Sequence, residues 1–317
     1  MRVPDEIRKT VLFIGLKNDL DEWDWRATGY LIALSDFQLH WSETVDYQGK
    51  QFYTTETHPF RLLGTAKHVA ERLEGKEFAL KTTTLDGQPR IIEVHADQRW
   101  FYHPTEKEYV DAAVTIFFPP DMRELDLFTI QPQMFADETV IREANLGVGD
   151  EVFIAGLFSK VKETARQHPI VRMGNLAMMP GERIPFKDDQ LIDAYLVESR
   201  SIGGLSGSPV FVRETIRQQV GIKFKPGKNP SNVVDRYPGE SFDPVIVDGL
   251  GRIFFLGSII GHWDTPTDYT PTMQEAVNMG ISPVVPAHKI LEIIRQPDLI
   301  EMADRISSEM RKSSGTG

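Results

Sequence analysis

A histidine, an aspartate and a serine in this chain combine the types needed to activate a hydroxyl group. Ser206 lies in Gly204-Leu205-Ser206-Gly207-Ser208-Pro209, just ahead of the apolar run Val210-Phe211-Val212. His68 lies in Thr65-Ala66-Lys67-His68-Val69-Ala70, and Asp111 in Tyr109-Val110-Asp111-Ala112-Ala113-Val114. A serine hydroxyl becomes a useful nucleophile when a base takes its proton, and the imidazole base needs a carboxylate to fix its tautomer. The three occur in the order His, Asp, Ser, with 43 residues from His68 to Asp111 and 95 from Asp111 to Ser206.

Each residue alone has a bland explanation: a Ser-Gly pair is a common turn, and an aspartate often ends a strand. The flanks argue for more. Gly204 can turn the backbone so that the N–H groups of Gly204 and Ser206 converge as an oxyanion hole, the donor pair that stabilises a tetrahedral intermediate. Pro209 tells against a helix after the serine, and position 208 is not glycine, so the strand-turn-helix elbow of α/β-hydrolases does not fit. His40, His58, His95, His103, His168 and His288 lack a comparable setting.

The elements that must carry these residues read as strands. Val11-Leu12-Phe13-Ile14, Gly29 to Leu34, Arg90 to Val94, Val114 to Phe118, Glu151 to Ala155 and Ile253 to Leu256 are rich in β-branched and aromatic residues and bounded by turn formers. Many short strands predict an all-β fold: two six-stranded antiparallel β-barrels with a C-terminal helix. Phe118-Pro119-Pro120-Asp121 marks a break, with a linker over about 119–145. The expected organisation is 1–125 for a barrel carrying His68 and Asp111, 126–285 for a barrel carrying Ser206, and 286–317 for helices and a disordered tail at 313–317. Residues 287–295 read as a helix with Ile290, Leu291 and Ile294 on one face. Gln296-Pro297 interrupts it, and Leu299, Met302, Ile306 and Met310 continue at helical spacing. The 213–251 segment is too long for an ordinary connection and is expected to be partly ordered, with a strand near 244–247.

The chain has 317 residues and a formal charge of −11, which disfavours nucleic acid and anionic membranes as partners. The basic Lys223-Phe224-Lys225-Pro226-Gly227-Lys228 reads as a solvated loop. With no cysteine, disulfides, thiolate catalysis and Cys-based zinc sites are excluded. No run has the length of a secretion signal or a membrane span, so the expected setting is cytoplasmic.

These motifs resemble those of the chymotrypsin-fold (trypsin-like) serine proteases, in particular cysteine-free bacterial members. Thr65-Ala66-Lys67-His68 is similar to the family's Thr-Ala-x-His, Val110-Asp111-Ala112-Ala113-Val114 to its aspartate with a small apolar run, and Gly204 to Pro209 to its Gly-x-Ser-Gly-Gly-Pro with Ser208 for the second glycine. Thr28-Gly29-Tyr30 resembles the strand ahead of the histidine, and Asn278 to Ile281 with Pro286 the last strand and closing helix. The resemblance covers most of 10–295. It implies a serine endopeptidase with Ser206 as nucleophile, His68 as base and Asp111 as its orienting carboxylate, without metal or organic cofactor. Leu205 stands where secreted digestive members have an aspartate, and their Ile-Val-Gly-Gly start is missing, so activation by N-terminal clipping is not expected.

By ungapped counting, the specificity pocket would be lined by Arg200, Ser201 and His262 on a strand 259–263. Arginine there would accept acidic side chains through paired hydrogen bonds, and the competing reading leaves Arg200 pointing to solvent. The expected partner is a protein or peptide substrate. Two alternatives stand beside a constitutive protease: an effector activated by a regulatory protein partner at 213–251 or the C-terminal helices, with Gly203-Gly204 allowing the loop to rearrange, and an inactive binding module on the same scaffold.

Overall fold

A computed structural model describes residues 3–47, 50–118, 122–158, 168–186, 190–199, 204–215, 251–261, 264–266, 276–278 and 280–314. A short helix α1 (Asp5–Lys9) leads into β1 (Val11–Lys17), β2 (Trp23–Tyr47) and β3 (Lys50–Thr65). Helix α2 (Lys67–Leu73) follows, then β4 (Phe78–Thr83), β5 (Pro89–Val94), β6 (Phe101–Tyr102) and β7 (Ala113–Ile116). These strands form one seven-stranded sheet in the order β5-β4-β1-β2-β3-β7-β6. The expectation was six strands here. The sheet curls round one core: Ile92 and Val94 of β5 and Trp100, beside β6, belong to the same cluster as Leu12, Leu31, Leu63 and Leu80.

Helix α3 (Glu138–Glu143) precedes the second β unit. This comprises β8 (Glu151–Gly156), β9 (Ile170–Met178), a small hairpin of β10 (Ile184–Phe186) and β11 (Gln190–Ile192), β12 (Tyr195–Glu198), β13 (Pro209–Arg213) and β14 (Ile253–Ile259). A second hairpin, β15 (Asp264–Pro266) with β16 (Ala276–Asn278), and β17 (Ile281–Pro286) complete it. Six of these strands close into a barrel, β12-β17-β14-β13-β8-β9, the all-β architecture expected. Pro209 opens β13, the strand position that tolerates a missing N–H. β14 ends at Ile259, short of the 259–263 strand expected from sequence. The basic loop at 223–228 and the strand near 244–247 lie outside the described residues.

The largest apolar cluster lies between the two β units. Tyr30 and Phe13 from the first meet Phe153, Phe211 and Phe255 from the second. Phe255 is the hub, with ring centroids 5.3 Å from Tyr30, 4.9 Å from Phe135 and 5.9 Å from Phe211. The stretch expected to be a linker belongs to this interface. Ala33 N–H donates to Ile130 O and Ile130 N–H to Leu31 O, while Ala136 N–H donates to Phe255 O, so one segment is stitched to both units.

Two helices close the chain, α4 (Ala287–Ile294) and α5 (Pro297–Ser314), broken at the Gln296-Pro297 step as proline dictates. The apolar stripe packs inward: Ile290, Ile294 and Leu299 are buried in the central cluster, with Met302, Ile306 and Met310 against it. Ser313 and Ser314 belong to α5 rather than to a free tail, and 315–317 lie outside the described residues. Beyond the sheet, β2 and β3 continue as a ribbon from Gln38↔Pro59 to Tyr47↔Lys50, and α5 lies along β2. Among the described residues no helix is long and apolar enough to cross a membrane.

Candidate active site

His68 is the second residue of α2, and Asp111 stands two residues before β7. The N-cap, Ala66, has no side chain to satisfy the free N–H groups of the first turn. Asp111 does this from outside: Oδ1 accepts the His68 backbone N–H at 2.9 Å, while Oδ2 lies 2.7 Å from His68 Nδ1. A carboxylate only accepts, so Nδ1 carries the proton and Nε2 is left with a lone pair. The Asp111 side chain is 12% exposed and that of His68 34%, so the carboxylate is held inside and the ring edge faces the cleft.

Ser206 sits in a tight turn closed by Ser208 N–H to Leu205 O at 2.8 Å. The third residue, Gly207, has φ +80°, the region a type II turn demands of that position. Gly207 N–H donates to Ile259 O and Ile259 N–H to Ser208 O, which joins the turn to β13 and β14. The Ser206 hydroxyl donates to Ile260 O at 3.3 Å. Gly204 has φ +101°, a backbone region that favours glycine. Among the described residues no backbone hydrogen bond uses the N–H of Gly204 or Ser206.

The Ser206 loop belongs to the second β unit, yet the first one holds it. Thr28 of β2 donates its N–H to Ser206 O at 3.1 Å and its hydroxyl to Gly204 O at 2.9 Å. Thr65, at the end of β3, donates its hydroxyl to Thr28 O at 2.8 Å. A Cβ on Gly207 would lie 2.3 Å from both Thr28 O and Thr65 Oγ1, so only glycine allows this approach.

The reverse bracing holds the Asp111 loop. Glu106 pairs with Lys289 of α4 and Arg183 near β10, and Asp193 N–H donates to Tyr109 O. The Arg183 guanidinium stacks 3.8 Å from the Tyr109 ring centroid. Lys289 and Arg183 hold the Glu106 carboxyl below its ordinary value of 4.5. Buried His103 accepts Glu106 N–H at Nδ1 (3.0 Å), so Nε2 is the protonated nitrogen facing Glu292 at 2.8 Å. His103, Glu106 and Glu292 are close enough to surround a cation, but the imidazole lone pair is already used and two basic side chains fill the space. This cluster is an ion-pair brace.

A cleft of about 270 Å³ runs past His68 and Ser206. Ile14, Leu16, Ala27, Val69 and Leu73 form its apolar part, and Lys17, Arg26 and Arg72 its charged rim with Asp24. The structure thus brings His68, Asp111, Gly204 and Ser206 together. Arg200, Ser201 and His262 lie outside the described residues. The roles of Thr28 and Glu106 were not read from the sequence. The sequence marks Thr28 only as part of the Thr28-Gly29-Tyr30 strand motif and Glu106 not at all, because the partners of both lie far away in the chain.

No family profile matches the chain, and no curated protein matches it in sequence. Solved structures similar in shape include Deg5, 14% identical over 65% of this chain and 75% of that one, with a TM-score of 0.37. Another is the inactive form of the Ser343Ala mutant of Rv3671c from M. tuberculosis H37Rv. It is 12% identical over 91% of this chain and 87% of that one, with a TM-score of 0.42. Similarity at this level says nothing of residue roles.

Proposed function

We propose that the protein is a serine endopeptidase that cleaves peptide bonds through an acyl-enzyme. The observation that carries this reading is the pair of hydrogen bonds from His68 to Asp111, which occupies Nδ1 and leaves Nε2 to act at the cleft that His68 and Ser206 both line. His68 takes the Ser206 proton as Oγ attacks the scissile carbonyl, then returns it to the leaving amine. Asp111 keeps the ring in the required tautomer and stabilises its cationic form. The Gly204 and Ser206 N–H groups receive the developing oxyanion. The leaving-group side of the peptide lies in the cleft beyond His68, since the amine must reach Nε2. Among the described residues, none of this chemistry calls for a metal or organic cofactor.

The Ser206 hydroxyl rests on Ile260 O, so attack requires it to exchange that acceptor for Nε2. This resting contact favours a second reading, in which a partner or substrate completes the site. A fluorophosphonate probe tests both. Labelling of the wild type, lost in Ser206→Ala and His68→Ala, supports the protease. Labelling only after a protein partner is added supports the effector reading. Absence of labelling under every condition rejects both.

A further inference from the structure

We infer that Thr28 is a positioning residue for the oxyanion hole, acting through its hydroxyl. This rests on the protease reading of the same site. Thr28 is fully buried at the seam between the two β units. Its Oγ1 accepts the Leu157 N–H at 3.0 Å and donates to Gly204 O at 2.9 Å. The direction is fixed by chemistry: an amide N–H can only donate and a carbonyl can only accept, so the hydroxyl proton has one place to go. The Thr28 backbone N–H holds Ser206 O at 3.1 Å. Two carbonyls, on either side of the Leu205-Ser206 peptide, are thereby tied to a single residue of the other β unit. The N–H of Ser206 lies between these tied points, and that of Gly204 precedes the first.

The backbone clamp survives any substitution except proline, whereas the Gly204 clamp needs a hydroxyl. Gly204 at φ +101° has no side chain of its own to hold it, so its peptide orientation depends on such outside contacts. A misdirected 204–205 peptide shifts the 205–206 peptide that follows it, and with it the Ser206 N–H, and small misplacements of this kind slow chemistry more than binding.

The test compares full-length wild type, Thr28→Val and Thr28→Ser. Valine keeps the shape and removes the hydroxyl; serine keeps the hydroxyl and removes the methyl. Thr28→Val should slow fluorophosphonate labelling roughly 10- to 100-fold, with a matching loss of kcat for p-nitrophenyl acetate and a KM within about threefold. Thr28→Ser should recover labelling to within about threefold of wild type. Equal labelling of the valine variant overturns the inference, as does a serine variant as slow as valine, which would make the methyl the important part. If Thr28→Val does not fold by thermal melting, Thr28→Ala takes its place with the same expected loss. If wild type itself is never labelled, the protease reading fails, and amide hydrogen exchange over 204–208 decides the positioning role by itself. Faster exchange in valine but not in serine supports it, and unchanged exchange overturns it.

Discussion

Asp111 grips His68 twice, at the ring through Oδ2 and at the backbone through Oδ1. The second bond makes Asp111 the cap of α2 as well as the partner of the imidazole. Asp111→Asn should therefore do two separable things. An amide can donate to Nδ1, which favours the wrong tautomer and should lower kcat by about 10³- to 10⁴-fold. Its carbonyl oxygen can still accept one of the two N–H groups, so thermal stability should fall by only about 1 kcal/mol. Steady-state kinetics beside a melting curve checks both. An equal loss of stability and activity would mean that the cap, not the tautomer, dominates.

Gly207 and Gly75 both have positive φ, +80° and +68°, but a Cβ at Gly75 meets nothing within 4 Å. Gly75→Ala should cost only the backbone strain, about 1–2 kcal/mol, and leave labelling of Ser206 intact. Gly207→Ala adds a clash with Thr28 O and Thr65 Oγ1 and should abolish labelling. Denaturation midpoints and probe labelling of the two variants side by side separate strain from steric exclusion.

Phe255 joins the two halves through three rings and is fully buried. Phe255→Ala should destabilise the protein by about 3–5 kcal/mol, and Phe255→Leu by less. Urea unfolding followed by tryptophan fluorescence measures this.

Glu106 supplies the pH dependence. Its carboxyl is held below the ordinary value of 4.5 by the Lys289 hydrogen bond first, then by the charges of Lys289 and Arg183. A carboxylate depressed on folding adds stability that is complete above its unfolded value and is lost as pH falls through the folded one. Glu106→Gln should cost roughly 1–2 kcal/mol at pH 7, toward the low end because the cluster is partly open to water. Its difference from wild type should shrink as pH falls below about 4.5. Unfolding curves at pH 7 and pH 4 test this; a gap that widens on acidification contradicts it.

The parts legible in the sequence are those whose chemistry is local. Glycine and proline around Ser206 mark the turn, and the Gln296-Pro297 step marks the break between α4 and α5. Runs of β-branched and aromatic residues mark the strands. The ribbon at 38–59 escaped notice because His, Thr, Glu and Trp alternate there without a continuous apolar run. The stretch at 119–145 reads as a linker from its prolines; its sequence does not show that Ile130 and Phe135 are buried in the central interface and Ala136 in the core of the second β unit. Thr28 was legible only as part of a strand motif, with no sign of its contacts, and Glu106 not at all. Their partners lie 176 and 183 residues away, and only the packed fold brings them together.

The mutual bracing of the two β units has a consequence during synthesis. The Ser206 loop is held by strands made early, while the Asp111 loop is held in part by α4, near the end of the chain. In a chain emerging from the ribosome, the Asp111 loop therefore gains its full set of contacts only once α4 has been made and has docked.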